Sequence, residues 1–330
     1  MRRVIALISG GLDSALAARM VQDQGLEVHG LNVRPLYGAT DVQARQAADV
    51  LGIPLEIADV EDDFLAMLRY PRFGYGKGMN PCVDCRIYMS RIAARRMEQL
   101  EACAVVSGEV LGQRPMSQKR PDLEAVAKHS GLEGRLLRPL SALLLEPTIA
   151  EREGLIDRER LGRFTGRSRR PLLRLAEQFG IPPLEGPSTG CPLTEPLFSH
   201  KVRDLFRHAG EAHPTRWEFD LLTVGKHFRF SPETKIVVGW NEEENGRLRA
   251  MADRAVGVSV AWLHPESFVG PDVLVVGEIS ERAVDTAAML VLQRGRCEDD
   301  EGASVRVSLG ERVWNVQPSM CEMAAGEMRI

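Results

Sequence analysis

No stretch of the chain approaches the ~18–20 consecutive apolar residues of a membrane-spanning helix, so a membrane is not among the expected partners. There is no surplus of positive charge. Forty-two Lys and Arg stand against 46 Asp and Glu, a net −4. The chain as a whole is therefore not a basic nucleic-acid binder, and any such surface has to be local. Six cysteines in 330 residues are too few for a disulfide scaffold; clustered thiols in a reducing compartment bind metal or do chemistry. The histidines show no metal-ligand spacing, and His129, His200, His208 and His213 read as surface residues. Only Arg2 and Arg3 separate the first methionine from the apolar run Val4–Ile8, with no long apolar region and no small-residue cleavage site, so the chain reads as cytoplasmic. Internal repeats are absent.

What is present is ordinary globular composition, 44% apolar and 27% charged, with length enough for two domains. In the first half, short apolar runs alternate with helical patterns. Strands are predicted at Val4–Ile8, Val28–Val33, Leu55–Ala58, Ala104–Ser107 and Leu136–Leu140; helices at Ser14–Gln24, Val42–Leu51 and Arg86–Leu100. That rhythm predicts an α/β fold with a parallel sheet covered by helices on both faces, and ligands at the carboxyl ends of its strands. The Pro/Gly-rich stretch Ile181–Pro196 breaks the order. Beyond it, strands at Phe219–Val224, Phe228–Phe230, Lys235–Trp240, Val258–Leu263 and Val273–Val276, with helices around Asn245–Val256 and Arg282–Arg294, predict a smaller C-terminal α+β domain. The division expected is 1–200 and 201–330. The acidic Glu298–Glu301 reads as a solvated loop.

Ser9-Gly10-Gly11-Leu12-Asp13-Ser14 follows a predicted strand and opens a predicted helix. Gly10 and Gly11 allow a sharp turn and a close backbone approach. Exposed N–H groups at a helix N-terminus bind anions, and Ser9 and Ser14 add hydroxyl donors. Asp13 would repel phosphate directly and is read as a Mg²⁺ holder. These six residues resemble the SGGxDS loop of the PP-loop ATP pyrophosphatases, or adenine nucleotide alpha hydrolases. That resemblance implies cleavage of ATP between its α and β phosphates, with AMP left on a carbonyl oxygen and pyrophosphate released.

Three further segments narrow the resemblance. Gly108-Glu109-Val110-Leu111-Gly112-Gln113, with Ser117-Gln118 after it, looks like the GExLGQ…SQ segment of the tRNA 4-thiouridine synthetases. Leu137-Arg138-Pro139-Leu140 looks like their LRPL, and Cys82–Ala93 is similar to their CxxCRxxMxRxA helix start. Together the four segments cover roughly residues 4–195. Gln113-Arg114-Pro115-Met116 departs from the usual run after LGQ. The family's THUMP-type RNA module is not expected ahead of the sheet, nor a rhodanese-like domain after it. Ser188-Thr189-Gly190-Cys191 and Asn80-Pro81-Cys82 are instead similar to the cysteine segments of the tRNA 2-thiouridylases. Lys235–Asn241, followed by Glu242–Asn245, resembles the strand and GRN-type turn of the NFACT RNA-binding module, with Trp240 in place of arginine.

Cys82, Cys85 and Cys191 form the candidate sulfur site. Zinc would want a fourth ligand, and none is evident. Three thiolates suit a [4Fe–4S] cluster with one open iron that carries sulfide. The alternative is a persulfide on Cys85 or Cys191, resolved by the other as a disulfide. Cys103 reads as core, and Cys297 and Cys321 as structural. Arg158, Arg160, Arg163, Arg167, Arg169, Arg170 and Arg174 are opposed only by Glu159. Their run is either a solvated face or a phosphate-backbone contact.

These readings converge on an ATP-dependent tRNA sulfurtransferase that adenylates a uridine carbonyl and replaces its oxygen with sulfur. The expected catalytic residues are Asp13, Cys82, Cys85 and Cys191. Ser9, Gly10, Gly11, Asp13, Ser14, Gly108 and Gln113 are expected to bind ATP, and Arg163, Arg167, Arg169 and Arg170 to bind RNA. Expected cofactors are ATP, Mg²⁺ and the [4Fe–4S] cluster on Cys82, Cys85 and Cys191. Expected partners are tRNA, a sulfur donor (sulfide or a cysteine desulfurase-type carrier) and a second copy in a homodimer. A small-molecule ATP-pyrophosphatase ligase and a non-catalytic RNA-binding protein are the alternatives.

Overall fold

The computed structural model describes residues 2–34, 36–37, 41–184, 190–211, 213–297, 302–318 and 329–330. Ser188, Thr189, Cys321 and the acidic 298–301 segment lie outside them. The chain forms two compact units, Met1–Glu195 and Pro196–Ile330.

In the first unit, β1 (Arg3–Leu7) leads into α1 (Leu12–Gln22), β2 (Glu27–Arg34), α2 (Asp41–Leu51), β3 (Leu55–Asp59) and α3 (Asp62–Arg69). There follow α4 (Cys82–Gln99), β4 (Ala104–Val106), α5 (Arg120–His129), β5 (Leu136–Leu137), α6 (Ile149–Arg152) and α7 (Arg170–Gln178). The five strands run in the order β3-β2-β1-β4-β5, all parallel. β1 is central and almost wholly apolar, as a strand covered on both faces must be. Val4, Ala6 and Ile8 share a core with Ala15, Leu16 and Ala18 of α1 and with Ala44 and Ala47 of α2. The order reverses between β1 and β4. In such sheets the crevice outside the carboxyl ends of the strands at that reversal takes the ligand.

The second unit holds α8 (Pro196–His208), α9 (Arg216–Leu221), β6 (Lys226–Ser231), β7 (Thr234–Val238), α10 (Glu242–Asp253), β8 (Val260–Pro265), β9 (Val273–Gly277), α11 (Glu281–Arg294), β10 (Val305–Leu309) and β11 (Arg312–Val316). Its six strands pair antiparallel in the order β11-β10-β8-β9-β7-β6. The α11 face packs Ala283, Ala287 and Val291 against Ile236, Leu263 and Val275. On the opposite face, Leu248 and Met251 of α10 cover Val237 and Leu274.

Some elements differ from the sequence expectation. Phe219–Val224, predicted as a strand, begins inside α9. The Thr215 hydroxyl accepts from Glu218 N while the Glu218 carboxylate accepts from Thr215 N, a capping box that starts a helix. The strand expected over Leu136–Leu140 ends at Leu137, because Arg138 turns to Glu109 and Pro139 has no N–H for a ladder. The α4 helix starts at Cys82 rather than Arg86, with Cys85 N donating to Pro81 O at 2.9 Å. Both cysteines of the pair therefore lie in its first turn.

Candidate active site

The Ser9–Ser14 segment forms the turn from β1 to α1. Gly10 sits at φ +82°, and a Cβ there would collide with Gln43 Cβ and lie 2.6 Å from the Gln43 carbonyl carbon. Only glycine fits both constraints. Gly11 occupies the N-cap without a side-chain cap, which leaves the first N–H groups of α1 for an anion. Ser14 is spent inside the turn: its hydroxyl donates to Gly11 O (2.8 Å) and accepts from Ser9 N (3.2 Å). Ser9 Oγ lies 3.2 Å from Ser14 Oγ. The two serines therefore set the shape of the loop.

The segment after β4 closes on this turn. A Cβ on Gly108 would lie 2.5 Å from Ser14 N and 2.6 Å from Asp13 C, so only a glycine allows β4 to approach α1. Gln113 Nε2 donates to Asp13 Oδ2 at 2.9 Å. The other carboxylate oxygen, Asp13 Oδ1, is buried with no hydrogen-bond partner. A buried, unmatched carboxylate oxygen beside an anion cradle fits a Mg²⁺ ligand. The two segments named from the sequence thus meet at the reversal between β1 and β4.

Beneath them lies a charged network to which the sequence alone assigned no role. Glu109 is buried, accepting from Arg138 Nε (2.9 Å) and Arg86 Nη1 (3.1 Å). Burial alone would push its carboxyl up; Arg138 and Arg86 outweigh that and hold it below the usual carboxylate range. Arg86 belongs to the cysteine helix and Arg138 to the end of β5, so one carboxylate ties α4 to the sheet. Glu109→Ala leaves buried guanidinium charge unpaired, and the expected cost is ~3–5 kcal/mol of stability in denaturant unfolding. A loss under ~1 kcal/mol would remove Glu109 from this role. Because the folded pKa is lowered, this stabilisation is complete above the unfolded value near ~4 and is lost as pH falls through the lowered folded value.

Cys82 and Cys85 are half-buried and Cys191 is exposed; all three are free. Cys82 Sγ donates to Asn80 Oδ1 at 2.8 Å. Burial pushes the Cys82 and Cys85 thiols up, Cys85 to about 12; Cys191, although its residue is exposed, is raised by the partial desolvation of its sulfur. Cys191 and Cys82 raise Cys85 further, and Cys82 raises Cys191, so the three sulfurs lie within one electrostatic neighbourhood. Even so, among the described residues no three His, Cys, Asp or Glu side chains form a set able to hold a metal ion. The thiol positions thus supply the donor chemistry of a cluster but not its geometry. Arg114, noted in the sequence only as a departure, has its guanidinium pushed down by burial and by Arg86, with Asp13 and Cys82 acting against that. Cys103 donates to Arg3 O at 3.2 Å and packs on the core.

The arginine run divides. Arg158 pairs with Glu151 (2.6 Å) and Arg160 with Asp23 (2.7 Å), so both hold the fold together. Arg163, Arg167, Arg169, Arg170 and Arg174 are exposed.

Residues 1–149 match the family model described as Thiamine biosynthesis protein (ThiI), and residues 225–328 match the one described as NFACT protein RNA binding domain. A tRNA-specific 2-thiouridylase MnmA of Syntrophotalea carbinolica is 32% identical over 120 residues, which cover 32% of this chain and 34% of that protein. The MnmA of Clavibacter sepedonicus is 30% identical over 164 residues, 42% of this chain and 40% of that one. The chain therefore spans about a third to two-fifths of the length of these relatives. A crystal structure of a 4-thiouridine synthetase–RNA complex with bound ATP aligns at a TM-score of 0.36 and 20% identity, over 55% of this chain and 52% of that one. No helix among the described residues is long and apolar enough to cross a membrane. The chain thus resembles the PP-loop ATP pyrophosphatases, with a ThiI-family segment over residues 1–149, 2-thiouridylase-like cysteines and an NFACT-type RNA-binding segment over residues 225–328.

Proposed function

We propose that the protein is a cytoplasmic, ATP-dependent tRNA sulfurtransferase of the 4-thiouridine or 2-thiouridine type. The observation that carries this is the meeting of the Ser9–Ser14 turn with Gln113 at the reversal of a parallel sheet, in a unit that also carries the Cys82–Cys85 pair and Cys191. ATP lies on Ser9, Gly10, Gly11, Ser14, Gly108 and Gln113. Mg²⁺ on Asp13, when bound, neutralises phosphate charge. Asp13 holds its position through Gln113, and the α1 N-terminus faces the polyphosphate.

The uridine carbonyl oxygen attacks the α-phosphorus, the bond to the β-phosphate breaks, and pyrophosphate leaves. The terminal sulfur of a persulfide on Cys191 or Cys85 then attacks the activated carbon, and AMP departs with the original oxygen. A second cysteine thiolate attacks the inner sulfur, which frees the thiolated base and forms a disulfide that an external thiol reduces. On this path the sulfur enters as the outer sulfur of a persulfide on a cysteine desulfurase-type carrier, whose own thiol is released as the sulfur passes to the cysteine; sulfide would be the donor only for the cluster form. A [4Fe–4S] cluster on Cys82, Cys85 and Cys191 is the other form of this chemistry, and iron content separates the two. A homodimer is the proposed assembly.

Pyrophosphate release that requires tRNA, with a thiolated nucleoside found by mass spectrometry, is the expected result. Release that is indifferent to RNA would instead identify a small-molecule ligase. Arg163, Arg167, Arg169 and Arg170 are proposed to meet the RNA backbone. Charge reversal at Arg167, Arg169 and Arg170 is expected to weaken tRNA binding and flatten its salt dependence by about one unit of slope per lost contact. An unchanged slope would make the run a solvated face.

A further inference from the structure

The second unit contains a fully buried carboxylate whose partners are all flat. Asp272 immediately precedes β9 and is 0% exposed. Its backbone is pinned from both sides: Asp272 N donates to Asn245 Oδ1 at 3.1 Å, and Asp272 O accepts from Gly239 N at 2.9 Å. Its Oδ2 accepts from Trp262 Nε1 (3.1 Å) and from Arg249 Nη2 (3.3 Å). Its Oδ1 lies 2.6 Å from His264 Nδ1. A carboxylate only accepts, so Nδ1 carries the hydrogen and Nε2 is the ring nitrogen left for another partner. One carboxylate thereby fixes an indole, an imidazole and a guanidinium.

These three groups also stack on one another. The Trp262 and His264 rings lie 5.5 Å apart at 27°, and the Arg249 guanidinium lies 5.1 Å from the Trp262 centroid. Trp262 and His264 are two apart on β8 and so share a sheet face. It is the face on which α10 packs over Trp262. Farther along that face, Arg306 of β10 stands opposite His264 and is exposed. The His264 side chain keeps 39% of its surface and that of Arg249 47%. The nearby carboxylates are already engaged: Asp272 lies beneath the stack, and Glu266 pairs with Arg306 at 2.7 Å and accepts from Asn315.

A core needs none of this. Burying a charge to immobilise half-exposed aromatic and cationic groups costs stability unless the groups serve a surface. We infer that Arg249, Trp262 and His264 form a preorganised stacking platform for an unstacked nucleobase of RNA. This rests on the reading that the chain handles RNA, and it assigns base contact to the second unit, whereas Arg163–Arg170 belong to the first. Every base has a π face, and aromatic and guanidinium planes receive it without regard to sequence. Arg249 and Arg306, exposed beside the stack although paired with Asp272 and Glu266, present guanidinium edges to the flanking phosphates. A duplex offers no free base face, so the platform is selective for loops, ends and single strands.

The test uses the full chain and three probes: tRNA, a single-stranded RNA dodecamer and the same dodecamer as a duplex. His264→Ala removes a half-exposed ring without opening the core, and Arg249→Gln removes the opposite cation. Circular dichroism shows whether each variant keeps its fold. The expected result is a loss of about tenfold or more in single-strand affinity for His264→Ala, the scale of one base–aromatic stack. Its salt slope stays at the wild-type value, and duplex affinity is unchanged. Arg249→Gln weakens single-strand binding as well. Equal affinity for the single strand in wild type and both variants would overturn the platform, as would an equal loss on duplex. If wild type binds tRNA and turns it over while the variants do likewise, the platform alone falls. If wild type binds none of the three probes, the RNA reading falls with it.

Discussion

Asp13→Ala is expected to lower RNA-dependent pyrophosphate release by ~10²-fold or more, the scale of removing one preorganised electrostatic contact to a reacting phosphate. The carboxylate makes one hydrogen bond, from Gln113 Nε2, and its second oxygen is buried without a partner. Deleting it removes no apolar packing and relieves an unmatched polar atom, so the melting temperature should stay within a few degrees of wild type. Asp13→Asn sharpens the result. The amide keeps an oxygen for Gln113 but loses the charge, so it should be nearly as inactive as alanine if the carboxylate holds Mg²⁺. Added Mn²⁺ or excess Mg²⁺ should restore part of the rate in neither variant. Wild-type turnover in Asp13→Asn would mean that Asp13 only positions Gln113.

The thiols give the second large effect. Alanine at Cys85 or Cys191 should abolish thiolation, and alanine at Cys82 should do so if the three thiols hold a cluster, each leaving RNA-dependent pyrophosphate release within about threefold, because the two half-reactions use different atoms. Alanine at Cys103 should leave both intact, since that thiol donates to Arg3 O and packs on the core. With desolvation raising all three thiols, attack requires deprotonation as sulfur is delivered, and the sulfur-transfer rate should climb with pH above neutrality. The persulfide path expects thiolation by iron-free protein and a trapped disulfide between Cys191 and one of the pair. About four irons per chain after anaerobic reconstitution, with activity that follows them, would replace it with the cluster. Loss of pyrophosphate release in every cysteine variant would place the thiols in the adenylation step.

The effects of Asp13 and of the cysteines depend on features that were legible to different degrees. The turn at Ser9–Ser14 was legible because its chemistry is local: a run of apolar residues, two glycines and a helix start are all contiguous. The chain rhythm fixed a parallel sheet in the same way. The Cys82–Cys85 pair was legible, but its place in the first turn of α4 was misjudged, since the expected helix began four residues later. In the second unit, β10 and β11 were missed. Both are short; β10 alternates buried and exposed residues only over Val305–Val307 and β11 buries none of its residues, so they become strands only through antiparallel partners.

What the sequence determined by itself was therefore everything that depends on neighbours in the chain: the parallel α/β class, the anion-binding turn, the CxxC spacing and the uneven placement of arginine. Tertiary structure alone decided which distant groups share a neighbourhood. Gln113 reaches Asp13 across 100 residues, and Arg86 and Arg138 converge on Glu109 from a helix and a strand end. Arg158 and Arg160 are withdrawn from a run that looked uniform, because Glu151 and Asp23 lie within reach. Asp272 gathers Trp262, His264 and Arg249 although no spacing announces it. The physical reason is the same in each case. A buried charge must find its partners wherever the fold brings them, and a sequence pattern records periodicity along the chain rather than the pairing of polar groups across it.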